Sequence, residues 1–82
     1  MSNLPQLSER KLAKVIGDRV HAKRLAAGLS QEQLGERADI HRTYIGAVER
    51  GEKNVTVVTL AKIARALRCK LTDLLAGDVN AH

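Results

Sequence analysis

The stretch LSQEQLGERADIHRTYIGAVERG, residues 29–51, decides how this chain folds. Ser30 opens a helix, and Gln33 stands three residues later. The run Ser30-Gln31-Glu32-Gln33 therefore reads as a capping box, in which each residue satisfies an orphan N–H of the other. The helix is short and ends near Ala38. Asp39 sits where the chain must turn sharply, and Asp tolerates the left-handed conformation better than most side chains. A second short helix follows from about Arg42 to Arg50, with Ile45, Val48 and the flanking Ile40 pointing inward, and Gly51 closes it.

Outward from this stretch the same signals recur. Upstream, Ser8 can cap a helix running to about Ala27, with Leu12, Ile16 and Val20 four apart on one face. Gly28 is its natural closing residue. Downstream, Asn54 or Thr56 caps a fourth helix in which Leu60, Ile63, Ala64 and Leu67 keep a 3.6-residue period. A last short helix, about Thr72 to Ala76, carries Leu71, Leu74 and Leu75 before Gly77. Residues 1–7, stopped by Pro5, read as a flexible lead-in. Residues 78–82 read as a frayed tail, which leaves 8–77 as one folded domain. The expected fold class is all-α, with five helices and no strands.

The bulk composition narrows the function. Eighty-two residues make one core. A deep substrate cleft would compete with that core for the same few apolar side chains. Hydrophobic residues are 44 % and charged residues 28 %, a globular balance, and Tyr44 is the single aromatic. The net charge of +5, with a pI near 9.9, favours a polyanionic partner. Lone Cys69 excludes an internal disulfide and reads as a small, half-buried apolar side chain. No apolar run approaches the ~20 residues of a membrane span, so the expected location is cytoplasmic and nucleoid-associated. His21, His41 and His82 are scattered without metal-ligand spacing, and the glycines are isolated rather than gathered in a phosphate loop. These features predict neither an enzyme nor a metal or cofactor site.

A tight turn, a small residue (Gly35) where two backbones cross at a steep angle, and buried aliphatics at Leu34, Ile45 and Val48 are the mark of a helix-turn-helix spanning about residues 30–50. Three segments, Leu29-Ser30-Gln31-Glu32-Gln33-Leu34, Arg42-Thr43-Tyr44-Ile45 and Glu49-Arg50-Gly51, resemble the Cro/cI-type (XRE-like) helix-turn-helix regulators. The likeness covers about residues 16–75, and the second and third segments are also similar to restriction–modification controller proteins. The resemblance implies a five-helix, lambda-repressor-like domain that binds DNA as a two-fold dimer. It also implies an ion pair between Arg24 and Glu49 that holds the reading helix. Three positions depart from the family pattern: Asp39 replaces the usual turn Gly, Gly35 replaces the usual Ala, and Arg68 stands where Gly is common.

The geometry of the third helix assigns the DNA-facing residues. With Ile45 and Val48 inward, the opposite face carries Arg42, Thr43, Gly46, Ala47 and Arg50. Arg42 can fork two donors onto guanine O6 and N7, the alternative being a phosphate contact alone. Thr43 can bond a base edge or only reinforce the helix start, and Ala47 can meet a thymine methyl. Gln31, Arg50, Lys53 and Asn54 are placed along the DNA backbone, Gln31 beside the exposed N–H groups of its helix. Tyr44 flanks this face, either on phosphate or the minor groove near the dyad, or packed against the protein.

One helix in one groove is weakly specific, so a homodimer on a (pseudo)palindromic operator in double-stranded DNA is expected. Leu71, Leu74 and Leu75, with Val57 or Val58, are the interface candidates; Leu74 is assigned to the core first. The chain leaves no room for an effector domain, so operator occupancy should follow protein concentration. The competing reading is an antitoxin-type module that binds a toxin partner and represses its own operon.

Overall fold

The computed structural model of the protein describes residues 9–75. Its order is α1 (Glu9–Ala26), α2 (Gln31–Ala38), α3 (Arg42–Glu49), α4 (Val57–Leu67) and α5 (Leu71–Leu75). There is no strand among the described residues. The expected cap Ser8, the stop Gly77 and the segments 1–7 and 78–82 lie outside the described residues.

Local chemistry sets the helix boundaries. The capping box is formed: Gln33 N–H donates to Ser30 Oγ at 2.9 Å, and Ser30 N–H donates to Gln33 Oε1 at 2.8 Å. Asp39 closes α2 in the left-handed conformation, φ 60°, and Arg68 does the same for α4 at φ 58°. For Arg68 this geometry costs roughly 1–2 kcal/mol that a glycine would not incur. Gly28 and Gly51 take positive φ after α1 and α3, as their positions require. Thr56, not Asn54, caps α4, its Oγ1 accepting from Thr59 N–H at 3.0 Å. The cap of α3 is His41, whose Nδ1 accepts from Thr43 N–H at 3.0 Å.

Leu34, Ile45, Ile63, Leu74, Val20 and Val48 form the fully buried centre. Helix α3 lies between α1 and α2, while α4 and α5 close the other side of the core. The expected inward stripe of α1 is corrected at its first residue. Leu12 is 42 % exposed, and Ala13 is buried in its place. Leu12 stays on the side of Ile16 but at the open end of the stripe, bordering Lys53, Asn54 and Val55. One turn on, Gly17 faces α3 directly: a Cβ there would lie 2.3 Å from the Val48 carbonyl oxygen and 2.8 Å from that of Glu49.

Gly35 plays the same part inside the helix-turn-helix. A Cβ there would lie 2.4 Å from the Ile40 carbonyl oxygen, so the crossing is tighter than an alanine at this position allows. Cys69 is half-buried against the core, and burial pushes its thiol pKa up.

Candidate nucleic-acid interface

The end of α3 is tied to the protein by one carboxylate. Glu49 has a side chain only 4 % exposed, and its oxygens are shared among three elements. Arg24 of α1 donates from Nε to Oε2 at 2.6 Å and from Nη2 to Oε1 at 3.0 Å, a bidentate pair. Gln31 Nε2, in the first turn of α2, donates to Oε1 at 3.1 Å. His21 Nδ1 lies 2.9 Å from the same oxygen. An ionised carboxylate only accepts, so the proton sits on Nδ1. Arg24 Nη1 also donates to the Leu29 carbonyl at 2.8 Å, which fixes the α1–α2 connection. Burial alone would raise the Glu49 pKa; the hydrogen bonds from Arg24, His21 and Gln31, with the Arg24 charge, outweigh it and hold the carboxyl below its usual value. The helices α1, α2 and α3 thus meet at a single satisfied ion, and no described buried side-chain polar atom lacks a partner.

That anchor leaves the start of α3 outward. Arg42 and Thr43 are exposed, Arg42 with a side chain 64 % accessible and only a 3.8 Å approach to Glu32 Oε1. Arg42, Gly46 and Arg50 follow one another at four-residue spacing along one side of the helix. Gly46 is the low point of that row: a Cβ on it would come within 3.2 Å of Arg50 Nη1 and 3.3 Å of Gln31 Oε1. Gln31 and Arg50 therefore flank Gly46, and Arg42 stands one turn away on the same side.

Ala47 does not join them. It is only 6 % exposed. A contact of its methyl with thymine therefore has little accessible surface to draw on. The outward face of α3 is correspondingly narrower than periodicity suggested, Gly46 being buried as well. Tyr44 is half-buried against the core, with Lys53 Nζ 5.8 Å from its ring centroid. Asn54 is exposed and donates to Glu9 Oε1 at 3.3 Å, and Arg50 is paired with Glu52. Val57 and Val58 are 68 % and 70 % exposed, bordering the seam of α2 and α4, and Leu75 is exposed on α5. Leu71 is half-buried against the core, and Leu74 is wholly core.

Four residues of this region carry roles that sequence reasoning missed: Gly17, His21, His41 and Glu52. A glycine in mid-helix signalled Gly17, since it costs about 1 kcal/mol against alanine unless something needs the space. Nothing local signalled His21, whose partner is 28 residues away; Glu52 is turned onto Arg50 by the left-handed Gly51 between them. The described residues contain no cluster of side chains that could hold a metal, and no helix long and apolar enough to cross a membrane.

Comparison with known proteins matches this geometry. The helix-turn-helix family HTH_3 aligns with residues 20–74. Control protein C.SmaI of Serratia marcescens is 45 % identical over 64 residues, 78 % of this chain and 76 % of that protein. The crystal structure of the restriction–modification controller protein C.AhdI from Aeromonas hydrophila superposes with a TM-score of 0.74 at 40 % identity, covering 76 % of this chain and 94 % of that one. The P22 c2 repressor, solved in complex with a synthetic operator, has a TM-score of 0.71 at 30 % identity, covering 77 % and 96 %. The chain belongs to the HTH_3, or XRE-type, helix-turn-helix family of transcriptional regulators.

Proposed function

We propose that the protein binds a (pseudo)palindromic operator as a homodimer, with α3 of each subunit in the major groove, and that it serves as a restriction–modification controller. The observation that carries this is the orientation of α3: Glu49 clamps one end to α1 and α2, and Arg42 and Thr43 project into solvent from the other. Arg42 forks onto guanine and Thr43 reads the adjacent base edge. Gln31, Arg50, Lys53 and Asn54 follow the DNA backbone, and Tyr44 reaches phosphate or the minor groove near the dyad. Leu75 and Leu71, with Val57 or Val58, supply the apolar contact between subunits. Two reading helices about 34 Å apart then meet successive major grooves. The protein acts on chromosomal DNA in the cytoplasm. The relatives described above give no support to a toxin partner.

The test is selection of bound sequences from random duplex DNA, followed by sedimentation of the complex. The expected result is an inverted repeat bound by two subunits. A protein indifferent to every duplex at low salt, or one that selects no sequence, refutes the proposal.

A further inference from the structure

We infer that Glu52 is a built-in competitor for Arg50, its carboxylate occupying the guanidinium fork that a DNA acceptor would otherwise fill, and that it thereby sets how tightly the protein holds DNA. The inference rests on the DNA-binding reading above. Residues two apart do not face each other on a helix. Here the left-handed turn at Gly51, φ 76°, brings Glu52 back toward α3, and its N–H is pinned to the Ala47 carbonyl at 2.9 Å. Arg50 Nε then donates to Oε2 at 2.9 Å and Nη2 to Oε1 at 3.2 Å.

A carboxylate held in this way presents two acceptors to the fork, as a phosphate or a guanine edge does. The third nitrogen, Nη1, lies over Gly46, on the same row as Arg42. The occupied fork therefore stands beside the residue proposed to read bases. Both side chains are more than half exposed, at 58 % and 55 %, and an exposed pair adds little to folding. Its consequence falls on the ligand, since DNA can take the Nε/Nη2 edge of Arg50 only by displacing this carboxylate, and until then meets a neighbouring negative charge at the remaining donors.

The experiment is a double-mutant cycle read by fluorescence anisotropy on two probes, a random-sequence duplex and the duplex selected above. Glu52→Gln is expected to tighten binding about two- to five-fold per subunit on both. In an Arg50→Gln background the same change should alter affinity little, because no fork remains to release. Thermal melts of all variants should coincide, as both positions are exposed. An equal gain in both backgrounds would mean that Glu52 merely repels phosphate, and would overturn the inference. So would no gain in either. If the wild-type protein binds neither duplex, the DNA reading itself fails and this inference falls with it.

Discussion

Replacing Gly17 by alanine should destabilise the protein, although the same change in an ordinary helix interior is favourable by about 1 kcal/mol. The added Cβ would lie 2.3 Å from the Val48 carbonyl oxygen and 2.8 Å from that of Glu49. Carbon and carbonyl oxygen do not pack closer than about 3.3 Å, so α3 must move away from α1 by about 1 Å. Both obstructing atoms are backbone, and no side-chain rotation relieves them. Overpacking of this kind costs about 1–3 kcal/mol or more. The displacement also stretches the Arg24–Glu49 contact, 2.6 Å in the native seam, toward the limit of hydrogen bonding. Breaking a buried pair outright costs about 3–5 kcal/mol, so a partial stretch suffices to outweigh the helix gain. The expected net loss is about 1–3 kcal/mol. A chain of this size has about 4–12 kcal/mol in total, so the loss is large. Urea unfolding followed by circular dichroism measures it, and the melting temperature should fall by about 4–8 °C per kcal/mol. Gly28→Ala is the control: its Cβ would meet nothing within 4 Å, and only the backbone conformation is penalised. An unchanged or higher urea midpoint for Gly17→Ala, with the slope preserved, would refute the account of the α1–α3 seam.

Glu49→Gln should remove most of an acid-dependent stability term. The folded-state carboxyl pKa is depressed, so its contribution is complete above the ordinary Glu value of about 4.3 and is lost as pH falls through the lower folded value. The melting-temperature gap between wild type and variant should therefore shrink on acidification; a constant gap would contradict the assignment. Arg42→Ala should cost about 1–3 kcal/mol on the selected site and relax the preference at one position per half-site, and equal weakening on all sequences would reduce Arg42 to a phosphate contact. Leu75→Glu should shift the protein toward monomer in sedimentation equilibrium, and an unchanged profile would remove α5 from the subunit interface. Affinity should fall about 10³–10⁵-fold between 50 and 200 mM salt if each dimer makes 6–10 phosphate contacts; a flat response would deny them.

The helix boundaries of this protein were legible from neighbouring residues because capping is decided within one turn of chain. Ser30 with Gln33, Asp39 after α2 and Thr56 before α4 each satisfy or close a helix by groups no more than four residues away, whereas Arg68 closes α4 where the sequence shows only a departure from Gly. The apolar period likewise placed Val20, Ile45, Val48, Leu60 and Ile63 in the core. Arg24 and Glu49 were paired through family likeness; their spacing of 25 residues carries no local signal. Periodicity misplaced Leu12 and Ala47. A helix has two sides flanking its buried stripe, and which of them a neighbouring segment covers depends on how closely the backbones approach. Leu12 falls at the open end of the α1 stripe, beside Lys53, Asn54 and Val55, and Ala47 is buried in the packed fold. The shared partner of His21 and Gln31, Glu49, was beyond sequence reasoning for the same reason. Local residues determine where a helix starts and stops, whereas the contacts that aim α3 form between segments far apart in the chain, and only their packing brings those segments within hydrogen-bonding distance.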